Sequence, residues 1–373
     1  MISVSIDVVI PSYRVDEQYL LPILQLNVPD NAVVKFYLVI DNPNVTIPPD
    51  ILSIVDNESI FLIINERNIG AASTRNAGIN AGKSDWILFL DDDIVIEPNL
   101  LSVYRDAILK HSTEIGFIGL VNFNEPANSF DKAVQASGSI DIFSVAARRP
   151  SFAWGATANM IVNRAAMGHI RFDKIFPKNG GAEDIDFFLT VRQQNQFKNY
   201  LSLPQAAVTH PWWGLGKPNF KRSFRYGRGS GVLYKKKPAY TYYDFLNTAE
   251  ILFIILTVLL ISAIIPKFSV TSILLFTVGL LIIEFIANAI QSLKRKSGLN
   301  LLTVFYLMLL RLSYQFGLLF QNLSYIRITA IGLRFNDDGS MKKTRFYRAN
   351  SYKIVKWVLY PVLIYLLIRL KPD

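Results

Sequence analysis

The stretch that decides the fold is Trp86-Ile87-Leu88-Phe89-Leu90-Asp91-Asp92-Asp93, in which five apolar residues are followed by three carboxylates. A short apolar run with a polar end predicts a buried β-strand that delivers the acids to one edge of a sheet. Neighbouring carboxylates repel one another and raise each other's pKa unless a cation lies nearby. A divalent cation, Mg²⁺ or Mn²⁺, bridged to a diphosphate would relieve that repulsion. The alternative is a solvated acidic turn before a helix at Pro98.

Similar short apolar runs precede this stretch along the first half of the chain. They are Asp7–Pro11, Lys35–Asp41, Ser59–Asn65 and Asp85–Leu90, with a helical segment, Ala71–Gly82, between the last two. This alternation predicts an α/β domain with a mostly parallel sheet flanked by helices. Polar residues follow the strands at Ser12-Tyr13, Asp41-Asn42, Asn68 and Asp91–Asp93. In open α/β sheets that edge binds ligands.

Two further motifs carry glycines beside polar residues. In Asn68–Gly78, Gly70 permits close backbone approach and Arg75 lies one turn into a helix, whose start favours an anion. The alternative is a helix start capped by Asn68. In Gly180–Asp186, acids open a predicted helix, where they either stabilise its dipole or supply a general base.

The chain has three histidines and no cysteine, which excludes a disulfide scaffold, a thiolate zinc site and a cysteine nucleophile. His111 and His169 are expected to be structural. His210 follows a strand-like run and precedes Pro211, so it is a candidate extra metal ligand, with a structural role as the alternative.

Charge divides the 373 residues into two regions. Residues 1–216 contain 16 Lys and Arg against 23 Asp and Glu, whereas residues 217–373 contain 23 against 6. In the basic region, Ile251–Ile265 carries no charge and Phe268–Ala289 carries only Glu284, so both are long enough to cross a bilayer. The sequence therefore predicts a transmembrane hairpin over residues 245–290, and nucleic acid is rejected as the partner of the basic residues.

Flanking charges set the expected orientation. Lys235–Lys237 and Lys294–Lys296 lie outside the hairpin and only Lys267 lies in its turn, which predicts that the N-terminal domain faces the cytoplasm. The N-terminus lacks the features of a secretory signal. Leu299–Leu310 ends at Arg311, and Trp357–Ile368 is short and contains Pro361, so both are predicted to be interfacial or re-entrant helices within a basic region of residues 291–373.

The segment of residues 217–244 is basic and aromatic. Lys217–Lys237 carries eight Lys and Arg and no acid, with Phe220, Phe224, Tyr226 and Tyr234 among them. This composition suits the headgroup layer, and Arg222, Arg225 and Arg228 are predicted to contact lipid headgroups or phosphate.

Taken together, the motifs over residues 6–230 resemble the family 2 glycosyltransferases, which are inverting enzymes with the GT-A fold. The motifs that carry the resemblance are Val8–Tyr13, Val39–Asn42, Asn68–Gly78, Asp91–Asp93, Trp154–Ala156 and Glu183-Asp184. The sequence departs from the family pattern at Asp41–Asn44, where many members have Gly-Ser after the acid, and it lacks the Gln-x-x-Arg-Trp motif of processive synthases.

The resemblance implies a role for each matching residue. The residues implied to bind the nucleotide sugar are Pro11, Tyr13, Asp41, Asn68, Gly70, Arg75, Asp91 and Asp92. Trp154, Gly155 and Ala156 would shape the donor and acceptor pocket. Asp184 would be the catalytic base with Glu183 beside it, and Asp93 with His210 would bind Mn²⁺ or Mg²⁺.

The predicted function is therefore membrane-bound, metal-dependent transfer of a sugar from a nucleotide sugar, by default UDP-linked, to a lipid-linked saccharide or another membrane-surface acceptor. A polyisoprenyl-phosphate glycosyltransferase is the alternative. A nucleotidyltransferase, a processive synthase and a catalytically decayed membrane adaptor are further rivals. Anionic lipids are expected partners, and the oligomeric state is left open.

Overall fold

The computed structural model describes residues 3–262, 270–341 and 350–370. The chain forms two compact units, each described separately below. Unit 1 comprises residues up to Glu125 together with Ile140–Trp212, and unit 2 comprises Pro126–Ser139 and the residues from Trp213 onward. The predicted boundary at residue 216 lies four residues beyond this division, and the charge pattern gave no sign that Pro126–Ser139 belongs to unit 2.

The strands, in chain order, are β1 (Val4–Ser12), β2 (Ala32–Ile40), β3 (Ile60–Ile64), β4 (Trp86–Leu90), β5 (Val95–Ile96), β6 (Gly116–Phe123), β7 (Ser151–Phe152), β8 (Asn159–Asn163), β9 (Tyr200–His210), β10 (Thr241–Tyr243) and β11 (Leu333–Phe335). The α-helices are α1 (Glu17–Leu24), α2 (Pro49–Ile54), α3 (Ala71–Ala81), α4 (Leu100–Lys110), α5 (Ser129–Ser137), α6 (Val145–Arg148), α7 (Arg164–Met167), α8 (Glu183–Gln194), α9 (Phe220–Lys236), α10 (Thr248–Ser262), α11 (Val270–Lys294), α12 (Leu301–Ser324) and α13 (Ser351–Leu370).

Unit 1 is built on one mixed sheet, which contains nine strands within residues 3–212. Strands β3, β2, β1 and β4 are parallel neighbours. Strand β8 is antiparallel to β4 and β6, and β9 is parallel to β6, so the carboxyl ends of β1, β4 and β9 lie on the same side. The four predicted strands and the predicted helix between the last two are confirmed, as is the mostly parallel sheet flanked by helices.

Strand β4 is apolar throughout because both faces of the sheet are covered. All five residues of β4 are buried, and even-numbered β1 and β2 side chains such as Ile6 and Leu38 pack with Leu20 and Ile23 of α1. On the other face, α3 packs against β1 and β2, and Gly78 lies against Val9 and Val39. This packing holds the strand ends rigidly, so side chains that follow them have fixed positions.

Unit 2 consists mainly of helices that pack around α12. Helix α9 crosses α12 at small residues, because a Cβ on Gly227 would collide with the carbonyl oxygen of Tyr314 and one on Gly317 with that of Phe224. Helix α5 also packs on α12, and α10, α11 and α13 complete the bundle. Strands β10 and β11 pair into a short antiparallel ribbon. In the chain, β10 precedes α10 and β11 follows α12.

Three helices in the described part of the chain are long and apolar enough to cross a membrane: α11, α12 and residues Ser351–Arg369 of α13. Helix α10 is apolar but shorter over its described residues. The end of the first predicted span and the turn at Pro266-Lys267 lie outside the described residues, while α11 contains most of the second. The C-terminal helices are longer than the sequence indicated, since α12 continues past Arg311 and α13 continues through Pro361. Their interfacial placement stays a prediction.

Candidate active site

Three side chains that could hold a metal ion meet at the carboxyl edge of the unit 1 sheet. Asp91 and Asp93 directly follow β4, and His210 is the last residue of β9. One ligand atom from each lies within 4.8 Å of the others. The Nε2 atom of His210 is 3.3 Å from Asp93 Oδ1 and 4.0 Å from Asp91 Oδ2. The structure thus brings together Asp93 and His210, the two predicted metal ligands, which are 117 positions apart in the chain.

The hydrogen bonding of His210 leaves Nε2 available to a cation. Its Nδ1 atom is 2.6 Å from the carbonyl oxygen of Pro211. Because a carbonyl only accepts hydrogen bonds, Nδ1 must carry the proton, and in the neutral ring Nε2 keeps its lone pair. The ring is buried and stacks on Phe123 at 5.5 Å between centroids. This arrangement aims the lone pair at Asp91 and Asp93.

The acidic triplet has two further partners from the end of β1. Ser12 donates a 2.6 Å hydrogen bond to Asp92, and Arg14 forms a 3.0 Å ion pair with Asp93 Oδ2. Burial raises the pKa of Asp92 to about 6, and the charges of Asp93 and Asp91 add to the rise while the Ser12 bond opposes it. The carboxylates therefore repel one another as expected from their spacing.

The donor set at this edge fits Mn²⁺ or Mg²⁺. Two carboxylates and one imidazole nitrogen are ligands that Mn²⁺ accepts, and Mg²⁺ is bound in proteins by one or two carboxylates together with phosphates and waters. Asp91 and Asp93 are partly exposed, so a diphosphate and water have access to the remaining positions.

Arg75 connects the acidic triplet to the second acidic motif. Its side chain is buried in α3 and pairs with Asp91 at 3.3 Å and with Glu183 at 3.2 Å, while its guanidinium lies over Phe172. Three parts of the chain thus meet at one cation. Since a buried charge is stable only with partners, Arg75 fixes the distance between the end of β4 and the start of α8.

The start of α8 is shaped by an unusual backbone. Gly180, Gly181 and Ala182 all have positive φ, with Ala182 at +69°, a left-handed conformation that costs a non-glycine residue about 1–2 kcal/mol. Glu183 is buried and accepts a 2.5 Å hydrogen bond from the Gly181 amide. The helix begins at Glu183, within the predicted acidic motif.

Asp184, the next residue, has a strongly perturbed acidity. Burial raises its pKa to about 7, the negative charge of Glu183 contributes, and the Ile185 amide and Arg75 oppose the shift. A carboxylate with a pKa near neutrality is suited to proton removal at physiological pH. Acidic residues at the first turn of α8 also stabilise its dipole, so both sequence interpretations of this motif remain compatible with the structure.

Asp41 holds the loop that leads into α3. Its carboxylate accepts hydrogen bonds of 2.8 Å from the amides of Ile69 and Gly70 and of 3.0 Å from Asn65. Gly70 has φ +88°, and a Cβ there would lie 2.9 Å from the backbone of Lys178. The interpretation of Asn68 as a helix cap is wrong: the cap residue is Gly70, with no side-chain cap bond. The Asn68 Oδ1 atom is buried without a partner among the described residues.

The other predicted residues of unit 1 occupy two places. Pro11 lies in β1 and Tyr13 follows it, half-exposed. Trp154, Gly155 and Ala156 are buried between β7 and β8. A Cβ on Gly155 would lie 2.7 Å from the sulfur of Met160, so this segment packs directly on β8.

The predicted lipid-contact arginines lie on α9 of unit 2, and each guanidinium lies over a ring. Arg222 is 4.8 Å from the Trp213 centroid and Arg225 is 5.8 Å from that of Tyr226. Arg228 lies 5.4 Å from Phe320 and donates a 3.0 Å hydrogen bond to Gln321 of α12.

Sequence reasoning missed Arg14, Ser12 and Asn65 as site residues. Ser12 was grouped with the strand-end polar residues, but no pattern paired it with Asp92, 80 positions away. Arg14 lies in a loop without periodicity, and Asn65 had the single signal of following a predicted strand. Register between strands, which a lone sequence does not give, decides these contacts.

The comparisons with known proteins agree with these motifs. Residues 7–167 match the model of the family described as Glycosyl transferase family 2. The chain is also similar to an uncharacterized glycosyltransferase of Haemophilus influenzae, with 51% identity over 59 residues. That alignment covers 16% of this chain and 20% of the length of the relative.

Two solved structures share a looser resemblance. S. aureus TarS residues 1–349 in complex with UDP is 16% identical, and the alignment covers 61% of this chain and 64% of that chain with a TM-score of 0.42. A mannosyltransferase from Pyrobaculum calidifontis in complex with GDP-Man and Mn²⁺ is 14% identical, covering 62% and 63% of the two chains with a TM-score of 0.42. Residues 7–167, which carry the carboxyl edge with Asp91 and Asp93, are therefore similar to glycosyl transferase family 2.

Proposed function

We propose that the protein is a membrane-associated inverting glycosyltransferase that uses a nucleotide sugar and Mn²⁺ or Mg²⁺. The observation that carries this proposal is the connection of two acidic motifs by Arg75. One motif, with Asp91, Asp93 and His210, is suited to a metal-bound diphosphate, and the other presents Asp184 with a pKa of about 7.

Asp184 is the base in this proposal. Its carboxylate takes the proton of an acceptor hydroxyl while the hydroxyl oxygen attacks the anomeric carbon and the bond to the leaving diphosphate breaks. Attack from the face opposite the leaving group inverts the anomeric centre. A bound divalent ion, held by Asp91, Asp93 and His210, would neutralise the charge that develops on the diphosphate. Arg75 and Glu183 keep the base at a fixed distance from that edge.

The nucleotide is assigned to the loop of Asn68–Gly70. Asp41 orders this loop through its amides, and the unpartnered Oδ1 of Asn68 is an acceptor for a donor group such as the imide N–H of uracil. This is compatible with UDP as the nucleotide, and the N1–H of guanine is a donor of the same kind. TarS is described in complex with UDP and the Pyrobaculum enzyme with GDP-Man, so a donor panel must include both nucleotides.

The acceptor is proposed to be a lipid-linked saccharide or a similar membrane-surface glycan. Unit 2 supplies helices of membrane-spanning length, and α9 carries the basic residues expected of a headgroup contact. A polyisoprenyl phosphate is the alternative acceptor, for which no strong base is needed. The raised pKa of Asp184 favours a hydroxyl acceptor. The retained acids disfavour a decayed adaptor.

The test is a donor panel with the full-length protein, using a lipid-linked and a soluble sugar acceptor. We expect transfer from one nucleotide sugar with inversion, detected by mass spectrometry and anomeric NMR of the product. No hydrolysis or transfer with any UDP-, GDP- or dTDP-sugar in Mn²⁺ or Mg²⁺ would refute the enzymatic function.

Charge reversal on α9 tests the acceptor. Because Arg228 also bonds Gln321, Arg228→Glu is compared with Arg228→Gln, and Lys221→Glu serves as the matched control on an exposed position of the same helix. The proposal is supported if charge reversal at Arg222, Arg225 or Arg228 lowers transfer to the lipid-linked acceptor and leaves transfer to the soluble acceptor unchanged, while Lys221→Glu changes neither. An equal effect of Lys221→Glu means that α9 binds only bulk anionic lipid.

A further inference from the structure

A polar cluster joins the membrane-type helices of unit 2 where α10 and α13 begin. Its centre is Glu284 of α11, which is fully buried. The carboxylate accepts hydrogen bonds from Thr248 at 2.5 Å, Tyr352 at 2.5 Å and Lys356 at 2.7 Å. The same carboxylate accepts a 2.8 Å bond from Asn288. Glu284 and Lys356 therefore neutralise each other with well-formed hydrogen bonds.

The other acids near the start of α10 are neutralised as well. Glu250 pairs with Arg334 at 2.7 Å, and Asp244 pairs with Lys353. Arg334 and Lys353 are thus each paired with one acid. Glu284, Glu250 and Asp244, the three acids nearest the start of α10, are therefore each paired with a cation.

Arg311 of α12 takes part in none of these ion pairs. Its guanidinium lies against the ring of Tyr352 at 4.3 Å, but its Nη1 has no hydrogen-bond acceptor and none of the ion pairs in the described ranges includes it. The segments 263–269 and 342–349 contain no Asp or Glu in their sequence, and Asp373 lies outside the described residues. A buried guanidinium N–H without an acceptor is costly among apolar helices, so an anion from outside the chain would stabilise Arg311.

The level of Arg311 along the bundle indicates what that anion is. Thr248 is the first residue of α10 and Tyr352 the second of α13, so the cluster lies where two apolar helices begin. Helix α11 continues ten residues past Glu284, or about 15 Å, to Lys294 and the basic residues after it. Apolar helices enter a bilayer just below its headgroups, where lipid phosphates lie.

We propose that Arg311 is the centre of a binding site for the phosphate of an anionic membrane lipid. Arg311 is partly exposed, and a guanidinium forms strong charge-assisted bonds with phosphate oxygens. The lipid is a bound ligand of the helical bundle, not a sugar acceptor, so the site does not depend on the proposed transfer reaction. Its chemistry is that of a phosphate monoanion at headgroup depth.

The experiment uses the full-length protein in detergent and in nanodiscs. Native mass spectrometry compares retention of phosphatidylglycerol and phosphatidylcholine, and thermal unfolding is measured with each lipid and with inorganic phosphate. We expect wild type to retain phosphatidylglycerol preferentially and Arg311→Gln to lose that preference about tenfold or more. Lys296→Gln removes an exposed cation of the same unit and is expected to retain it.

Stability separates a lipid site from a structural role of Arg311. If the arginine only packs on Tyr352, Arg311→Gln unfolds more easily with either lipid, whereas the proposal requires loss of the stabilisation specific to phosphatidylglycerol. Equal retention by Arg311→Gln, or equal stabilisation by inorganic phosphate, would overturn the proposal. If Arg311→Gln cannot be produced in folded form, the wild-type protein still tests the proposal. Equal retention of phosphatidylglycerol and phosphatidylcholine by wild type would overturn it.

Discussion

The two units leave opposite charges in surplus at their polar centres. In unit 1, the edge of the sheet gathers the carboxylates of Asp91, Asp92, Asp93 and Glu183 around the buried Arg75, with Arg14 at the surface. In unit 2, the three acids beside the start of α10 are each paired with a cation, and the Nη1 atom of Arg311 has no hydrogen-bond acceptor. Because a buried charge needs a partner, the sign of the surplus indicates the ligand: a metal cation for one unit and a phosphate for the other.

The largest expected effect is on catalysis in unit 1. Asp184→Asn keeps the side-chain volume and removes the basic carboxylate, so kcat should fall by about 10²–10⁴-fold. Donor binding, measured by titration calorimetry, should be retained because the metal-binding residues are untouched. Turnover near the wild-type rate would show that Asp184 is not the base. Asp186→Asn is the matched control in the same helical turn.

Breaking the central ion pairs of unit 1 should affect folding. Arg75→Met removes the cation between Asp91 and Glu183 and leaves the buried carboxylate of Glu183 without it, which we expect to lower the free energy of unfolding by about 3–5 kcal/mol. Chemical denaturation with two spectroscopic probes measures this loss. Arg105→Met, which breaks a surface pair with Asp106, should change stability by less than about 1 kcal/mol.

Exchanging the ligands sharpens the comparison between the units. Mn²⁺ at about 100 times its dissociation constant should stabilise unit 1 by about 2.7 kcal/mol, and Asp93→Ala should abolish that gain. Arg311→Gln should leave the Mn²⁺ effect unchanged and remove only the gain from phosphatidylglycerol. Thermal unfolding of both variants with both ligands measures the four combinations. If Mn²⁺ stabilises Asp93→Ala as much as it stabilises wild type, Asp93 is not a metal ligand.

The smallest effect is a pH dependence. A protonated Asp184 accepts no proton, so kcat/KM should fall as pH drops through about 7, by about tenfold for each further unit. The same raised pKa means that the folded protein binds the proton more tightly than the unfolded chain, so this group's contribution to stability decreases as pH rises from about 4 to 7. In Glu183→Gln, without the neighbouring charge, the activity midpoint should move to lower pH. An unchanged midpoint would contradict that electrostatic coupling.

Local patterns predicted the parts of the structure that depend on neighbouring residues. The apolar run ending at Asp91 gave β4, and the Gly180–Asp186 motif gave the acidic start of α8, because strand burial and helix-start chemistry are local. The partner of Arg75 was not predictable, since Glu183 reaches it through the packing of α8 on the sheet. Sequence likewise marked Arg311 as an anomaly within an apolar segment, but the matching of every nearby acid to another cation depends on how four helices pack.

The membership of α5 in unit 2 bears on how the protein is made. Phe130 of α5 is buried and packs edge-on against Phe220 of α9 and Tyr306 of α12. The ribosome adds Tyr306 176 residues after Phe130, a delay of roughly 9–35 s at common synthesis rates. During that time this helix has no native cover, so a fragment that ends at Trp212 would expose it permanently. Expression of the sheet domain alone therefore requires excision of Pro126–Ser139 as well as removal of the C-terminal helices.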